Sequence, residues 1–402
     1  MTITTQPLFN VGIVGHVDHG KTTLTKLLSG RWTDTHSEEK KRGITIKLGY
    51  VNFVIYYNKE KNHYSTKAGQ GYEPLKKLSI VDAPGHENLM ATMISGVAVM
   101  DCALLVVAAN EQCPQLQTIE HLKTLEIMGV KNVIIIQNKI DLISKEDSIK
   151  NYQDIKKFLK GTFAENAPII PMSAQHSANI SVLLEYVAKI ELPQPNVTKK
   201  PLMYIVRSFD VNKPGDDYKV FKGGILGGTL KEGEFKVGDK IEIKPGIQIT
   251  REGKTFYKPI PATIEGLMSD KDKLEKAIPG GSVGVLTKLD PTLTHADMLV
   301  GQVAGLAGTL PDAMSQIALE VHLFKTVMMS EGEVPVKEII LHEPLMLMVG
   351  ALATVGVTSK ANPKEITVNL KKPVMAFKGE RVILFKKFEG NKWKIAGFGV
   401  VK

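Results

Sequence analysis

Gly15-His16-Val17-Asp18-His19-Gly20-Lys21-Thr22 is the stretch on which the reading of this chain turns. It follows the apolar run Phe9 to Gly15 and precedes KTTLTKLLSG, so the spacing G-x-x-x-x-G-K-T lies between a predicted strand and a predicted helix. Glycines at these positions let backbone N–H groups wrap phosphates at the positive end of the following helix. Lys21 supplies a point charge to β and γ oxygens, and the Thr22 hydroxyl is placed to ligate Mg²⁺ bridging the same oxygens. Asp18, His19, Gly20 and Thr23 complete the expected phosphate-side set. A chance glycine-rich turn would reproduce the spacing but not both flanking elements.

Outward from this loop, short apolar runs alternate with helical stretches as far as about Leu192: LSIVDA then ENLMATMISGVA, CALLVVAA then LQTIEHLKTLEIMG, NVIIIQNK, and APIIPMSA then ISVLLEYVAKI. That alternation predicts an α/β domain with a mostly parallel sheet and helices on both faces. The punctuation Leu192-Pro-Gln-Pro, with Lys-Lys-Pro at 199–201, cannot continue a helix and reads as a linker. Beyond it, short alternating segments are separated by Gly and Pro, the pattern of all-β barrels. LAGTLPDAM at 306–314 divides them, giving expected domains at 1–197, 198–308 and 309–402.

Two further motifs name the base. Asn138-Lys139-Ile140-Asp141 ends the strand NVIIIQ, where open α/β sheets bind ligands. A carboxylate at Asp141 can accept two hydrogen bonds from guanine N1–H and its exocyclic amine, and adenine would leave it unpaired at a cost of about 1–3 kcal/mol. Ser173-Ala174-Gln175 follows PIIPM, and a backbone N–H there can donate to guanine O6. Asp82-Ala83-Pro84-Gly85-His86 ends another strand: Asp82 is placed to hold the metal through water, Gly85 to offer its N–H to a γ-phosphate, and His86 to position a water or to be a plain surface histidine. Thr45 lies in a polar loop from about Thr33, and its closure on Mg²⁺ only with the γ-phosphate present would make that loop a nucleotide switch.

Composition agrees with a soluble, multi-domain protein: 402 residues, 43% apolar, 23% charged, with no apolar run near the roughly 20 residues a bilayer helix needs. A polar N-terminus that soon enters a strand leaves no room for a secretory segment, so cytoplasmic residence is expected, with no membrane partner. Cys102 and Cys113 exclude a disulfide framework and a four-cysteine zinc site, and read as small hydrophobes. The net charge of +9 favours a polyanionic partner, and residues 371–402 carry nine Lys or Arg against two Glu. Edge-strand lysines that block aggregation are the plainer reading of several of them.

The order GHVDHGKT, RGITI, DAPGH, NKID, SAQ resembles the translational GTPase family. WTDTHSEEKKRGITIKLGY, VDAPGHENLMATMISGVAVMD, VVAANEQCPQLQT and IVRSFDVNKPG further resemble the gamma subunits of archaeal and eukaryotic translation initiation factor two, over nearly the full chain. The resemblance implies a GTPase that cycles between GTP and GDP and delivers methionylated initiator tRNA to the small ribosomal subunit beside alpha and beta subunits, with no DNA partner. Metal ligands carry over onto Thr22 and Thr45, and those of a second site onto Asp18 and Gly43; His86 gains the water-positioning role. Lys386, Lys387, Lys392 and Lys394 are expected to flank the tRNA, with Trp393 packing in the barrel rather than stacking on a base. In one respect the chain departs from the family: four cysteines of a zinc knuckle are missing from Asn58 to Leu75, so no zinc is expected. Other readings are an elongation-factor-like carrier of aminoacyl-tRNA, against which Lys47 and SFDVNKPG argue, and a regulatory GTP-binding scaffold with little hydrolysis.

Overall fold

A computed structural model of the chain describes residues 5–33, 45–191, 194–212, 215, 222–329, 332–388, 390 and 392–402. The first of its two compact units is Met1–Pro195 with the short segments Ser269–Asp272 and Gly280–Ser282. Its strands are β1 (Asn10–Gly15), β2 (Gly49–Asn58), β3 (His63–Ser65), β4 (Glu73–Asp82), β5 (Cys102–Ala108), β6 (Asn132–Asn138) and β7 (Ile169–Pro171). They form one sheet in the order β3-β2-β4-β1-β5-β6-β7. β4, β1, β5, β6 and β7 run parallel, and β2 and β3 join antiparallel at one edge.

β1 and β5 are buried along their whole length, as expected for central parallel strands covered on both faces. The helices are α1 (Lys21–Ser29), α2 (Met90–Val97), α3 (Leu116–Ile127), α4 (Lys145–Leu159) and α5 (Ile180–Lys189). Val11, Ile13, Leu104 and Val106 share a core with Leu24 and Leu28 of α1 and Leu183 and Leu184 of α5. α2 and α3 pack on β1, and α3 on β5. Strand side chains alternate between faces, so the apolar runs Val11–Val14 and Cys102–Ala108 serve both layers. α4 begins where the Ser144 hydroxyl accepts the Asp147 N–H at 3.0 Å, with Glu146 and Asp147 in its first turn and Lys156 and Lys157 in its last, both arrangements favourable to the helix dipole.

The second unit is Asn196–Met268, Lys273–Pro279 and Val283–Lys402. Its first part holds β8 (Leu202–Phe209), β9 (Ile225–Glu232), β10 (Phe235–Lys236), β11 (Lys240–Arg251), β12 (Lys254–Ser269), β13 (Asp272–Leu274), β14 (Lys276–Ala277), β15 (Val283–Thr287) and β16 (Val303–Leu306). The order β11-β16-β8-β9-β15-β12 closes on itself because β12 pairs back to β11, around Met203, Ile205, Phe235, Ile243 and Val285. The rest holds β17 (Met314–Leu323), β18 (Thr326–Met329), β19 (Gly332–Pro335), β20 (Pro344–Val349), β21 (Leu352–Ala361), β22 (Glu365–Val374), β23 (Arg381–Lys387) and β24 (Trp393–Val401). A second closed barrel runs β17-β22-β21-β20-β23-β24. From Leu352 to Thr358, β21 alternates buried and exposed at every residue, the period-two pattern of a one-sided core. Among the described residues, closure leaves neither barrel ring with an open edge.

Candidate nucleotide site

The phosphate loop runs from the end of β1 to the start of α1. Gly20 caps α1 with φ 93°, a left-handed conformation, and a Cβ there would lie 2.3 Å from Asn138 Nδ2. Glycine is required at this position on both counts. The Lys21 ammonium donates to His16 O at 2.6 Å, which holds it over the loop. A Cβ on Gly85 would lie 2.3 Å from that ammonium and 2.7 Å from Gly15 O. The Asp82-Ala-Pro-Gly turn therefore presses directly on the phosphate loop, and His86 follows it into solvent. His86 Nδ1 accepts the Asn88 N–H at 3.3 Å.

Thr22 Oγ1 and Thr45 Oγ1 stand 3.1 Å apart, one at the start of α1 and the other just before β2. Thr45 is buried, and Asp82, at the end of β4, is fully enclosed, with its Oδ2 accepting from Thr33 Oγ1 at 2.6 Å. Asp18 is exposed on the loop at φ 60°. Gly43, expected at the second metal site, lies outside the described residues.

The base-side motifs meet through Asn138. Its Nδ2 donates to His19 O at 2.8 Å and its Oδ1 accepts the Ala174 N–H at 3.0 Å, so one carboxamide fixes the phosphate loop against the Ser173-Ala174-Gln175 turn. Lys139 takes φ 63°, which turns the chain out of β6, and Asp141 follows in a short 3-10 turn. Asp141 Oδ2 stands 3.6 Å from His176 Nε2 beyond Gln175. The His176 N–H donates to Ser173 Oγ at 3.3 Å.

Behind the loop sits a group of imidazoles that motif reading missed in part. The Gly15 N–H donates to His121 Nδ1 at 2.9 Å, within the buried interior. Burial, then the Lys21 charge and the unfavourable cost of a second protonated imidazole beside His16 and His19, push the His121 pKa down to about 3. His19 Nδ1 lies 3.0 Å from Val106 O and its Nε2 3.3 Å from Glu111 Oε2. Burial again lowers its pKa, against the backbone and Glu111 contacts that raise it. His16 is lowered chiefly by burial too, with the Glu111 charge opposing. All three rings are held neutral near pH 7, so Lys21 and the loop N–H groups supply the positive potential. His121 lies 106 residues from Gly15; its only local signal is a polar residue on the buried stripe Thr118, Leu122, Leu125 of α3.

The basic C-terminal end requires a correction. Lys386 and Lys394, expected beside RNA, are cross-strand neighbours at 5% and 4% exposure. The Lys386 ammonium donates to Lys337 O at 2.7 Å and Glu338 O at 2.9 Å and pairs with Glu343 at 3.2 Å, so it fastens residues 337–343 to the barrel and is closed to phosphate. Lys387 and Lys392 are exposed. Lys387 Nζ lies 5.3 Å from the ring centroid of half-buried Trp393. In Asn58 to Leu75 a short hairpin through β3 occupies the place of the knuckle, held by Tyr72 OH against His63 Nδ1 at 2.8 Å. Among the described residues no group of three or more His, Cys, Asp and Glu is arranged to hold a metal, and no helix is long and apolar enough to cross a membrane.

A phosphate loop, a pair of converging threonine hydroxyls and a guanine-type motif on a doubly covered sheet, followed by two barrels, define a translational GTPase. Residues 6–193 match the elongation factor Tu GTP binding domain, and residues 315–401 match the C-terminal domain of initiation factor eIF2 gamma. Translation initiation factor 2 subunit gamma of Methanothermobacter thermautotrophicus is 50% identical over 406 residues, covering 99% of each chain. That of Thermoplasma acidophilum is 50% identical over 401 residues, covering 99% of this chain and 97% of its own. The chain thus belongs to the family of translation initiation factor 2 gamma subunits, GTP-hydrolysing components of a multi-subunit factor. In fold it is similar to the elongation factor SelB of Methanococcus maripaludis, solved with the GTP analogue GppNHp, at a TM-score of 0.74 and 21% identity, covering 99% of this chain and 80% of that one. A bacterial selenocysteine-specific elongation factor, EF-Sec, gives 0.76 at 23% identity, with this chain spanning 58% of the longer protein.

Proposed function

We propose that this gamma subunit, in the cytoplasm, carries methionylated initiator tRNA to the small ribosomal subunit in company with alpha and beta subunits, and that bound GTP sets its affinity for that tRNA. The observation that carries this reading is the 3.1 Å approach of Thr22 Oγ1 to Thr45 Oγ1, which joins the phosphate loop to the end of the expected switch loop.

Phosphates would sit on the N–H groups of Asp18 to Thr23 at the start of α1, with Lys21 released from His16 O to their β and γ oxygens. Guanine would lie between Asp141, which accepts from its N1–H and amine, and the turn Ser173-Ala174-Gln175, which supplies backbone donors to O6. Asn138, three residues before Asp141, ties the second wall to the phosphate loop through its bonds to the Ala174 N–H and His19 O. Two hydroxyls 3.1 Å apart are hard oxygen donors of the kind Mg²⁺ takes, so Thr22 and Thr45 would hold it directly and the buried carboxylate of Asp82 through water, where it would neutralise charge on the phosphate oxygens. Asp18 offers an exposed carboxylate to a second ion. The Gly85 N–H would meet the γ-phosphate, and His86, next along the chain, would orient the water that attacks it, giving GDP and inorganic phosphate. Loss of that phosphate removes what holds Thr45 inward, and the tRNA is released. Lys387 and Lys392 would meet the tRNA backbone.

Purification from the native cell tests the reading. Co-elution of two partner subunits with initiator tRNA supports it; elongator tRNAs in their place would make the chain an elongation-type carrier.

A further inference from the structure

The two barrels enclose a cleft of about 710 Å³ that plays no part in the nucleotide site. It is lined by Lys199, Lys200 and Lys231 from the first barrel's side and by Lys378 from the turn before β23 of the second. Its floor is the link between Tyr204 and Glu380: Tyr204 OH donates to Glu380 Oε1 at 3.0 Å, and Glu380 Oε2 accepts the Phe377 N–H at 3.0 Å. Both oxygens of the half-buried carboxylate are thereby occupied. Lys199 pairs with Glu232 at 2.7 Å on the rim. Lys200 and Lys378 are exposed and have no acceptor among the described residues. Leu310 and Phe377 add an apolar wall.

We propose that this cleft is a binding site for an organic phosphate, its phosphate between Lys200 and Lys378 and its organic part against Leu310 and Phe377. Ammonium groups are point charges suited to phosphate oxygens, and two of them without protein acceptors match a phosphate dianion better than they match one carboxylate. A volume of this size is that of a small-ligand pocket, and charge at the mouth over an apolar wall is how such pockets orient a ligand. The edge-protection reading of C-terminal lysines does not extend to Lys378, which lies in a turn. The phosphate has two possible sources, a free mononucleotide or the backbone of an RNA strand.

The experiment uses the full chain saturated with GTP and Mg²⁺, so that the phosphate loop is filled, and titrates it calorimetrically with AMP and, separately, with a short uridine oligoribonucleotide without terminal phosphate. Binding of AMP assigns the free source and binding of the oligonucleotide alone the strand; either supports the site provided that the K200Q/K378Q double variant weakens it about tenfold or more with GTP affinity unchanged, as loss of hydrogen bonds to charged groups requires. Retention of thermal unfolding in the variant excludes a folding defect. Absence of binding by both probes, equal binding by the variant, or preferential binding of a polyglutamate peptide would overturn it.

Discussion

Thr22 Oγ1 lies 3.1 Å from Thr45 Oγ1, across 23 residues of sequence. The first threonine lies on the helix that begins at Lys21 and the second stands four residues before β2, so the pair parts only if Thr45 shifts relative to that helix. One hydroxyl belongs to the phosphate loop and the other to the stretch proposed above to respond to nucleotide. A switch of this kind works by differential contact: the ligand shifts the equilibrium only as far as it binds one arrangement better than the other.

Guanine selectivity should follow Asp141. Asp141→Asn replaces an acceptor by an amide that can donate to the C2 oxygen of xanthine, so GTP should weaken and XTP strengthen by about 1–3 kcal/mol each. Competition binding with labelled GTP checks this; equal binding of ATP and GTP by the unaltered protein would contradict the base assignment.

Hydrolysis should depend on His86. The ring is exposed and, among the described residues, its hydrogen bond is with the Asn88 N–H, so His86→Ala should leave stability and GTP affinity nearly unchanged. A fall of about 10²–10⁴-fold in single-turnover GTP hydrolysis within a complete initiation system is expected for a lost proton-handling or water-orienting group. Undiminished turnover would remove His86 from the chemistry.

Acid should act through His121. Its folded pKa, near 3, lies below the unfolded value of 6.5, so the unfolded chain binds the extra proton first. The stabilisation is complete above about 6.5 and is lost as pH falls from there toward 3, by an amount on the order of 5 kcal/mol. His121→Gln should unfold more easily at neutral pH because the Gly15 N–H loses a well-placed acceptor, yet should show a flatter stability profile between those limits. Parallel slopes for the two proteins in urea titrations at several pH values would contradict the assignment.

RNA contact should survive at only half of the expected lysines. Lys387→Gln with Lys392→Gln should weaken tRNA binding and reduce the slope of log K against log salt by about 0.7–0.9 per lost phosphate contact. Lys386→Gln should instead lower thermal stability, since it strips Lys337 O and Glu338 O of a buried donor. Filter binding across a salt series separates the two effects.

The nucleotide-binding domain was legible because each of its motifs is local: GHVDHGKT, DAPGH, NKID and SAQ each pack their chemistry into a few residues at a strand end. The barrels were legible from turn residues and alternation. What the sequence hid is held by long-range contacts. Nothing near His121 tells that Gly15 will meet it, and nothing near Lys386 tells that the carbonyls of residues 337 and 338, 49 and 48 positions away, will close over its ammonium. A lysine in a basic stretch reads as surface until the register of β23 and β24 sets which ones face inward.

The most direct measurement compares Thr45→Ala with the unaltered chain, each assembled with its partner subunits, for affinity toward methionylated initiator tRNA in GTP and in GDP. The unaltered complex should bind more tightly in GTP, by the roughly 5–150-fold typical of coupled sites, and Thr45→Ala should bring the GTP value down to the GDP value with nucleotide affinity reduced far less. If Thr45→Ala keeps the full difference between GTP and GDP, the threonine pair is not the element through which nucleotide controls the tRNA.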